Sequence, residues 1–409
     1  MNPAHETLRA LGRELKEIAE LPVQEEKRRL WRRLNGLQDC RPLVCIDQLP
    51  WHELNHLPEL TCRCEDPFLR RVEWALRAIL YKWRHFPADM VVEGYIELPR
   101  AIQGMHFGSH VKENILRTSA DSDVASHEYV DQINDYDDLE ALSPDVITVD
   151  HEQENRSLEL LSGIFAGILP VKLKGVTIPC SVWDRITRMR SANSIVYDCI
   201  DRPEFTIAVA QKFRDLTMDT VNQCEAQGLL DAEQTLIHCT GAFTNELPGS
   251  GYDPQHPKTS DCWSFAMAQI FSTVSPQMHE EFDIDVMRPL YERFGLLYYG
   301  CCEPLDRKFD MIRKIKNIRK VSCSPWADPN AFAERAGHAY VMSYKPNPAL
   351  IAGPSFLEDE IRGQLAEALS ACRKQGARCE FILKDVSTVG CRPERLDKWE
   401  KIAMEIAGG

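Results

Sequence analysis

The chain has no apolar run approaching the roughly 20 residues that cross a bilayer. Its first residues, Met1-Asn-Pro-Ala-His-Glu, lack the basic-then-apolar pattern of a secretory leader. No membrane partner is expected, and the expected location is cytoplasmic. Positive charge is also in short supply: 48 Lys and Arg stand against 62 Asp and Glu, a net charge of −14. Sequence-independent binding to nucleic acid depends on Lys and Arg neutralising phosphates, so no nucleic-acid partner is expected. The acidic stretch with Asp121, Asp123, Asp135, Asp137 and Asp138 lacks EF-hand spacing and reads as solvated surface rather than a calcium loop. Cysteine, by contrast, is plentiful at fifteen. Without a secretory leader a disulfide framework is the weaker reading, and most of these thiols are expected to be small buried hydrophobes.

What is present is a rhythm of strands and helices. Hydrophobic residues make up 44% of 409, ample for a large core. Leu8, Leu11, Leu15, Ile18 and Leu21 recur at helical spacing, so residues 1–36 read as an N-terminal helical extension. Asp66-Pro67 opens a helix running to about Trp83. Strand candidates follow one another at 41–47, 89–97, 176–180, 235–240, 294–299, 320–326, 338–343 and 380–386. Eight strands with helices between them predict an α/β fold, a (β/α)8 TIM barrel over 37–409. Residues 100–160 are acidic and irregular, and are expected to be an insertion over the barrel mouth.

Two short motifs carry the chemistry. Tyr299-Gly-Cys-Cys-Glu-Pro304 and Val389-Gly-Cys-Arg-Pro393 each place cysteine after an apolar strand and before a helix. In a barrel of this type the C-terminal strand ends form the catalytic mouth. Two thiols and an acid there suit a borderline-soft metal such as zinc. The adjacent Cys302 is expected to point to the opposite side and pack.

On these residues the chain resembles the uroporphyrinogen decarboxylase superfamily over roughly residues 37–407, and most of all its zinc-dependent, corrinoid-linked methyltransferase branch. In that branch strand five ends in His-x-Cys-Gly-Asn, the segment after strand seven reads Gly-Asn-x-Asp-Pro, and strand eight ends in Gly-Cys-Gly. Here Tyr299-Gly-Cys301-Cys302-Glu303, Ser343-Tyr-Lys345-Pro-Asn347-Pro348 and Val389-Gly390-Cys391-Arg392-Pro393 occupy those places. Tyr299 stands where the family has its first ligand, His, and Glu303 replaces Asn. The decarboxylase branch grips substrate carboxylates with an Arg-rich segment after strand one; the equivalent Asp47-Gln-Leu-Pro-Trp-His-Glu-Leu stretch has no arginine. The resemblance implies zinc on Cys301 and Cys391, with Glu303 or His238 completing the set. It also implies a cobalamin delivered by a partner protein, since no Asp-x-His-x-x-Gly motif occurs in this chain.

The remaining candidates come from their places at strand ends. His238, read in the fourth strand, is a ligand, an acid/base or a core histidine. Asp184, Tyr299 and Lys345 join it as catalytic candidates, Lys345 as a cation orienting an anionic substrate. Trp183, Trp326, Asn347, Glu93 and Tyr95 are substrate-binding candidates; Trp51, His52 and His110 are weaker ones. The expected function is zinc-dependent methyl transfer between a cobalamin protein and a small molecule. The alternative is a metal-independent decarboxylase or lyase acting on a small carboxylated substrate. The sequence leaves a homodimer open.

Overall fold

The computed structural model describes residues 2–117 and 125–408, so Asp121 and Asp123 of the acidic stretch lie outside the described residues. Short apolar runs build the main sheet, because strands covered on both faces need apolar side chains in both directions. We number the parallel strands β1 (Leu43–Ile46), β2 (Ile96–Pro99), β3 (Val171–Lys174), β4 (Trp263–Ala266), β5 (Leu296–Tyr299), β6 (Ile318–Cys323), β7 (Val341–Tyr344) and β8 (Arg378–Leu383). Six of them form one curled parallel sheet in the order β1-β8-β7-β6-β5-β4. Its register sets Leu43 beside Glu380, Ser343 beside the same Glu380, and Trp263 beside Leu296.

At the β1 edge the amide of Asp89 donates to the Val44 carbonyl at 3.1 Å, and at the β4 edge that of Cys180 donates to the Phe265 carbonyl at 2.8 Å. The chain segments that make these two contacts also carry β2 and β3, which pair with each other in parallel, Ile96 beside Val171. Backbone pairing therefore yields six continuous staves and a separate pair.

The strand expected over 235–240 is a different object. Leu236–Ile237 and Thr240–Gly241 form a two-residue antiparallel hairpin that turns through His238 at φ 54°. Its polar end tucks against the sheet, with Thr240 Oγ1 donating to Glu380 at 2.6 Å. The fourth stave is β4, which follows a Gly/Pro loop and is only four residues long. The segment over 100–160 is less irregular than its composition suggests. Glu113–Arg117 pairs antiparallel with Ala125–Tyr129, and a helix spans His151–Ile164.

Two N-terminal helices, α1 (Pro3–Ala19) and α2 (Pro22–Asn35), precede β1, and α3 (Pro67–His85) follows it. Asn2 and Asp66 cap α1 and α3 by accepting from Ala4 and Leu69 amides at 2.9 and 2.8 Å. Leu8, Leu15 and Ile18 of α1 share a core with Leu69, Leu76 and Leu80 of α3. On α2, Trp31 is buried and donates Nε1 to the Asp89 carbonyl at 2.8 Å. A side chain at Gly241 would come within 2.5 Å of the Trp31 ring, so this close approach requires glycine. Among the described residues, no helix is long and apolar enough to cross a membrane.

Candidate functional site

The site starts where β5 ends. Gly300, at φ 93°, turns the chain out of the strand after Tyr299, so Cys301 and Cys302 no longer follow strand alternation. The buried Glu303 carboxylate accepts from the Cys301 amide at 2.9 Å and from the Ala268 amide at 3.1 Å, tying the β5 loop to the β4 loop. The Cys301 carbonyl accepts from Ser322 Oγ at 2.6 Å and Lys345 Nζ at 3.2 Å. Three elements of the sheet therefore fix the backbone of one cysteine.

Its side chain is surrounded by donors. Lys384 Nζ stands 2.9 Å from Cys301 Sγ, and Cys302 Sγ stands 3.6 Å away. A hydrogen bond with Cys302, then one with His238, then the charges of Lys345 and Lys384 hold the Cys301 thiol far below its ordinary value, against the effect of burial. The same contact with Cys301, with burial, pushes Cys302 up. His238 lies below the usual histidine value because it is buried, and its contact with Cys301 opposes that shift. Its ring stacks parallel to Tyr298 with centroids 5.2 Å apart, and Nδ1 meets Cys239 Sγ at 2.8 Å.

Cys301, Cys302 and Asp385 bring their ligand atoms within 4.8 Å of one another, the one group of three or more metal-ligating side chains found among the described residues. They line a cleft of about 880 Å³ together with His238, Lys384 and Asp184. The lining also includes His106 and His110 of the 100–160 segment. Burial pushes the Asp184 carboxyl up to about 7, with the bond from Gln269 Nε2 at 3.1 Å opposing.

The structure thus gathers Cys301, His238 and Asp184 at one cleft, with Lys345 immediately beneath Cys301. It places the other candidates elsewhere. Tyr299 faces the helical layer, where its hydroxyl donates to Asp283 at 2.6 Å and meets His279 Nε2 at 2.8 Å. Glu303 spends both oxygens on backbone amides. Cys391 is exposed, with its amide on the Glu53 carboxylate at 3.0 Å. Trp183 is a core side chain, its Nε1 donating to the Phe282 carbonyl at 3.2 Å rather than walling the cleft. Trp326 is 71% exposed. Asn347 accepts from the Ala349 amide at 3.0 Å. Glu93 pairs with Arg28 at 3.2 Å and Tyr95 lies beneath Lys172, both bordering a second cavity of about 270 Å³ beside α1 and α3.

Sequence reasoning missed Cys302, Lys384, Asp385, Arg185 and Gln269. Cys302 was set aside by the alternation rule, which ceases to apply at Gly300. Lys384-Asp385 directly continue β8, the position that the strand-end argument should have selected.

No protein-family model matches the chain, and no curated protein matches it. Among solved structures it is similar to a methyltransferase from Methanosarcina mazei, at 12% sequence identity and a TM-score of 0.52. The superposition covers 93% of this chain and 97% of that one. At that identity the likeness establishes a shared fold along nearly the whole length.

Proposed function

We propose that the chain is a zinc-dependent methyltransferase of the corrinoid-linked type, built on a (β/α)8 barrel of the uroporphyrinogen decarboxylase superfamily. The observation that carries this reading is the Cys301, Cys302 and Asp385 cluster at the ends of β5 and β8, with His238 against Cys301. Two sulfurs, an oxygen and an imidazole are the donor types zinc prefers, so the residues fit the metal. The structural neighbour's description as a methyltransferase supports the choice of reaction. The ligand set proposed is Cys301, Cys302 and Asp385, with His238 as the fourth donor or as hydrogen-bond partner. Cys391 and Glu303 stand outside it.

Zinc bound there would lower the pKa of a substrate thiol and present it as a nucleophile. The protein's own groups do the rest. Lys384 offsets the negative charge gathered on the sulfurs. Lys345, Ser322 and Glu303 hold Cys301 in place through its backbone. Asp184 keeps a carboxyl proton at the cleft near neutral pH. The cobalamin is proposed to arrive on a partner protein at the open cleft.

Metal content of protein purified without chelator tests this. Near-stoichiometric zinc is expected in the wild type and in Cys391→Ala, and its loss in Cys301→Ala and Cys302→Ala. A wild type without zinc ends the metal reading. A second reading, a metal-independent decarboxylase or lyase, draws on one observation: a carboxyl with a pKa near 7 beside half-buried Arg185 in the same cleft. Turnover that survives chelator and Cys301→Ser would select it.

A further inference from the structure

Ser181 stands at the N-cap of the short helix Val182–Ile186, and Arg185 lies one turn further along it. Both line the cleft. Ser181 is 92% buried (8% exposed), yet its hydroxyl bonds neither the helix amides nor any other group among the described residues. Arg185 is equally unusual. Its Nη1 donates to the Pro179 carbonyl at 3.2 Å and its Nη2 to Thr217 Oγ1 at 2.6 Å, both neutral acceptors, while Nε is buried and meets no acceptor among the described residues. No carboxylate pairs with it among the described residues. Its guanidinium packs 4.1 Å from the Phe107 ring centroid. Arg188, just past the C-terminal end of this helix and exposed, also lines the cleft and makes no side-chain hydrogen bond or ion pair among the described residues.

Buried donors of folded proteins are almost always paired, and a guanidinium sheltered from water needs a counter-charge. Arg185 cannot escape by losing its proton: burial pulls it down only to about 10. A serine hydroxyl and two guanidiniums from one short stretch of the cleft lining present donors suited to a planar or tetrahedral oxyanion. This wall follows the segment beside β4, whereas Lys384 and Asp385 follow β8, on the far side of β7, β6 and β5 in the sheet order. The cleft lining therefore differs by element: Cys301, Cys302 and Asp385 come from the ends of β5 and β8, whereas Ser181, Arg185 and Arg188 come from the wall that also carries Asp184.

We propose that Ser181, Arg185 and Arg188 form an oxyanion subsite that takes a carboxylate or phosphate group of the substrate and holds its other end toward Cys301. The proposal rests on reading this cleft as the substrate site, and is independent of the metal. Titration calorimetry of the full chain with inorganic phosphate and with succinate tests it. Binding of at least one anion is expected in the wild type, weakened about tenfold in Arg188→Gln and severalfold in Ser181→Ala, and unchanged in Cys301→Ser. Arg188 is exposed and Ser181 makes no bond, so both variants should fold like the wild type. Preference for phosphate would assign a phosphate ester, and preference for succinate a carboxylate. Binding of neither anion, or equal binding in all variants, would overturn the proposal. Zinc measured on the same samples separates the two ideas: anion binding without zinc removes the metal reading alone, and zinc without anion binding removes the subsite alone.

Discussion

Lys320 on β6 and Lys384 at the end of β8 are both buried lysines of one sheet, but they keep different company. Lys320 Nζ donates to Glu380 Oε2 at 2.9 Å, Thr240 Oγ1 at 3.1 Å and the Gly241 carbonyl at 3.1 Å. Glu380 in turn accepts from Ser343 at 2.5 Å and Thr240 at 2.6 Å, so every charge in this group is answered inside the protein. Lys384 Nζ meets Cys301 Sγ at 2.9 Å and Asp385 Oδ2 at 3.0 Å, and both partners border the cleft. The first lysine is locked by partners that water and solutes do not reach. The second neutralises groups that a metal or an electrophile can also contact. Within one sheet, the access of the partner separates a structural charge from a chemical one.

Breaking the closed group should have the largest effect. Glu380→Ala leaves Lys320 buried without its counter-charge and is expected to cost about 3–5 kcal/mol of stability, read by denaturant unfolding. Replacing both, with Lys320→Met and Glu380→Leu, should recover much of that loss; if the double variant is no better than the single, the pair is not the unit that matters. Lys384→Met should act in the opposite sense. Its stability is expected to change little, while the midpoint of the pH profile for alkylation of Cys301 by iodoacetamide moves upward, because the thiolate loses a neighbouring positive charge. An unchanged midpoint would show that Lys384 does not hold the thiolate.

Asp184 gives a smaller, pH-dependent contrast. Its folded pKa near 7 lies above an unfolded value of about 3.9. The neutral carboxyl therefore favours the folded state fully below about pH 4, and that contribution is lost as pH rises to about 7. Asp184→Asn should flatten this part of the wild-type stability profile, which parallel pH series of unfolding midpoints would reveal. At the bottom of the scale, Trp326→Ala at an exposed position should shift stability by no more than about 0.5 kcal/mol and leave zinc content intact.

Much of the scaffold was readable from local pattern. The Asp66-Pro67 helix start, the strands around 296–299 and 378–383, and the final helix from Glu394 all rest on short-range signals, and all stand where they were expected. The fourth stave was misplaced because the apolar Leu236-Ile237 pair resembles a strand start, while the four residues of β4 offer little periodicity. The site was half legible. Cys301, His238 and Asp184 were selected by residue type near strand ends. Tyr299 and Trp183 were selected on the same ground, yet point into the core, because sequence position fixes where a residue lies along a strand and not which way its side chain faces past the last ladder bond. Ser181 and Arg185 carry no sequence signal at all: their significance is an unbonded hydroxyl and a guanidinium without a carboxylate partner among the described residues, properties only the folded chain possesses.

The contact of α2 with the far end of the sheet also bears on the order in which the chain can assemble. Trp31 lies 4.9 Å from Lys320 Nζ, Asn35 Nδ2 donates to the Gly241 carbonyl at 3.0 Å, and Arg319 donates to the Asn35 carbonyl. These partners are separated by more than 200 residues of sequence, 284 for the last. Helix α2 is synthesised well before β6 and must wait for it to reach its final seat, and until then the indole of Trp31 has no native cover there. Such long-range closure slows folding and prolongs the exposure of apolar surface. Helix α2 is thus made long before the strand that secures it.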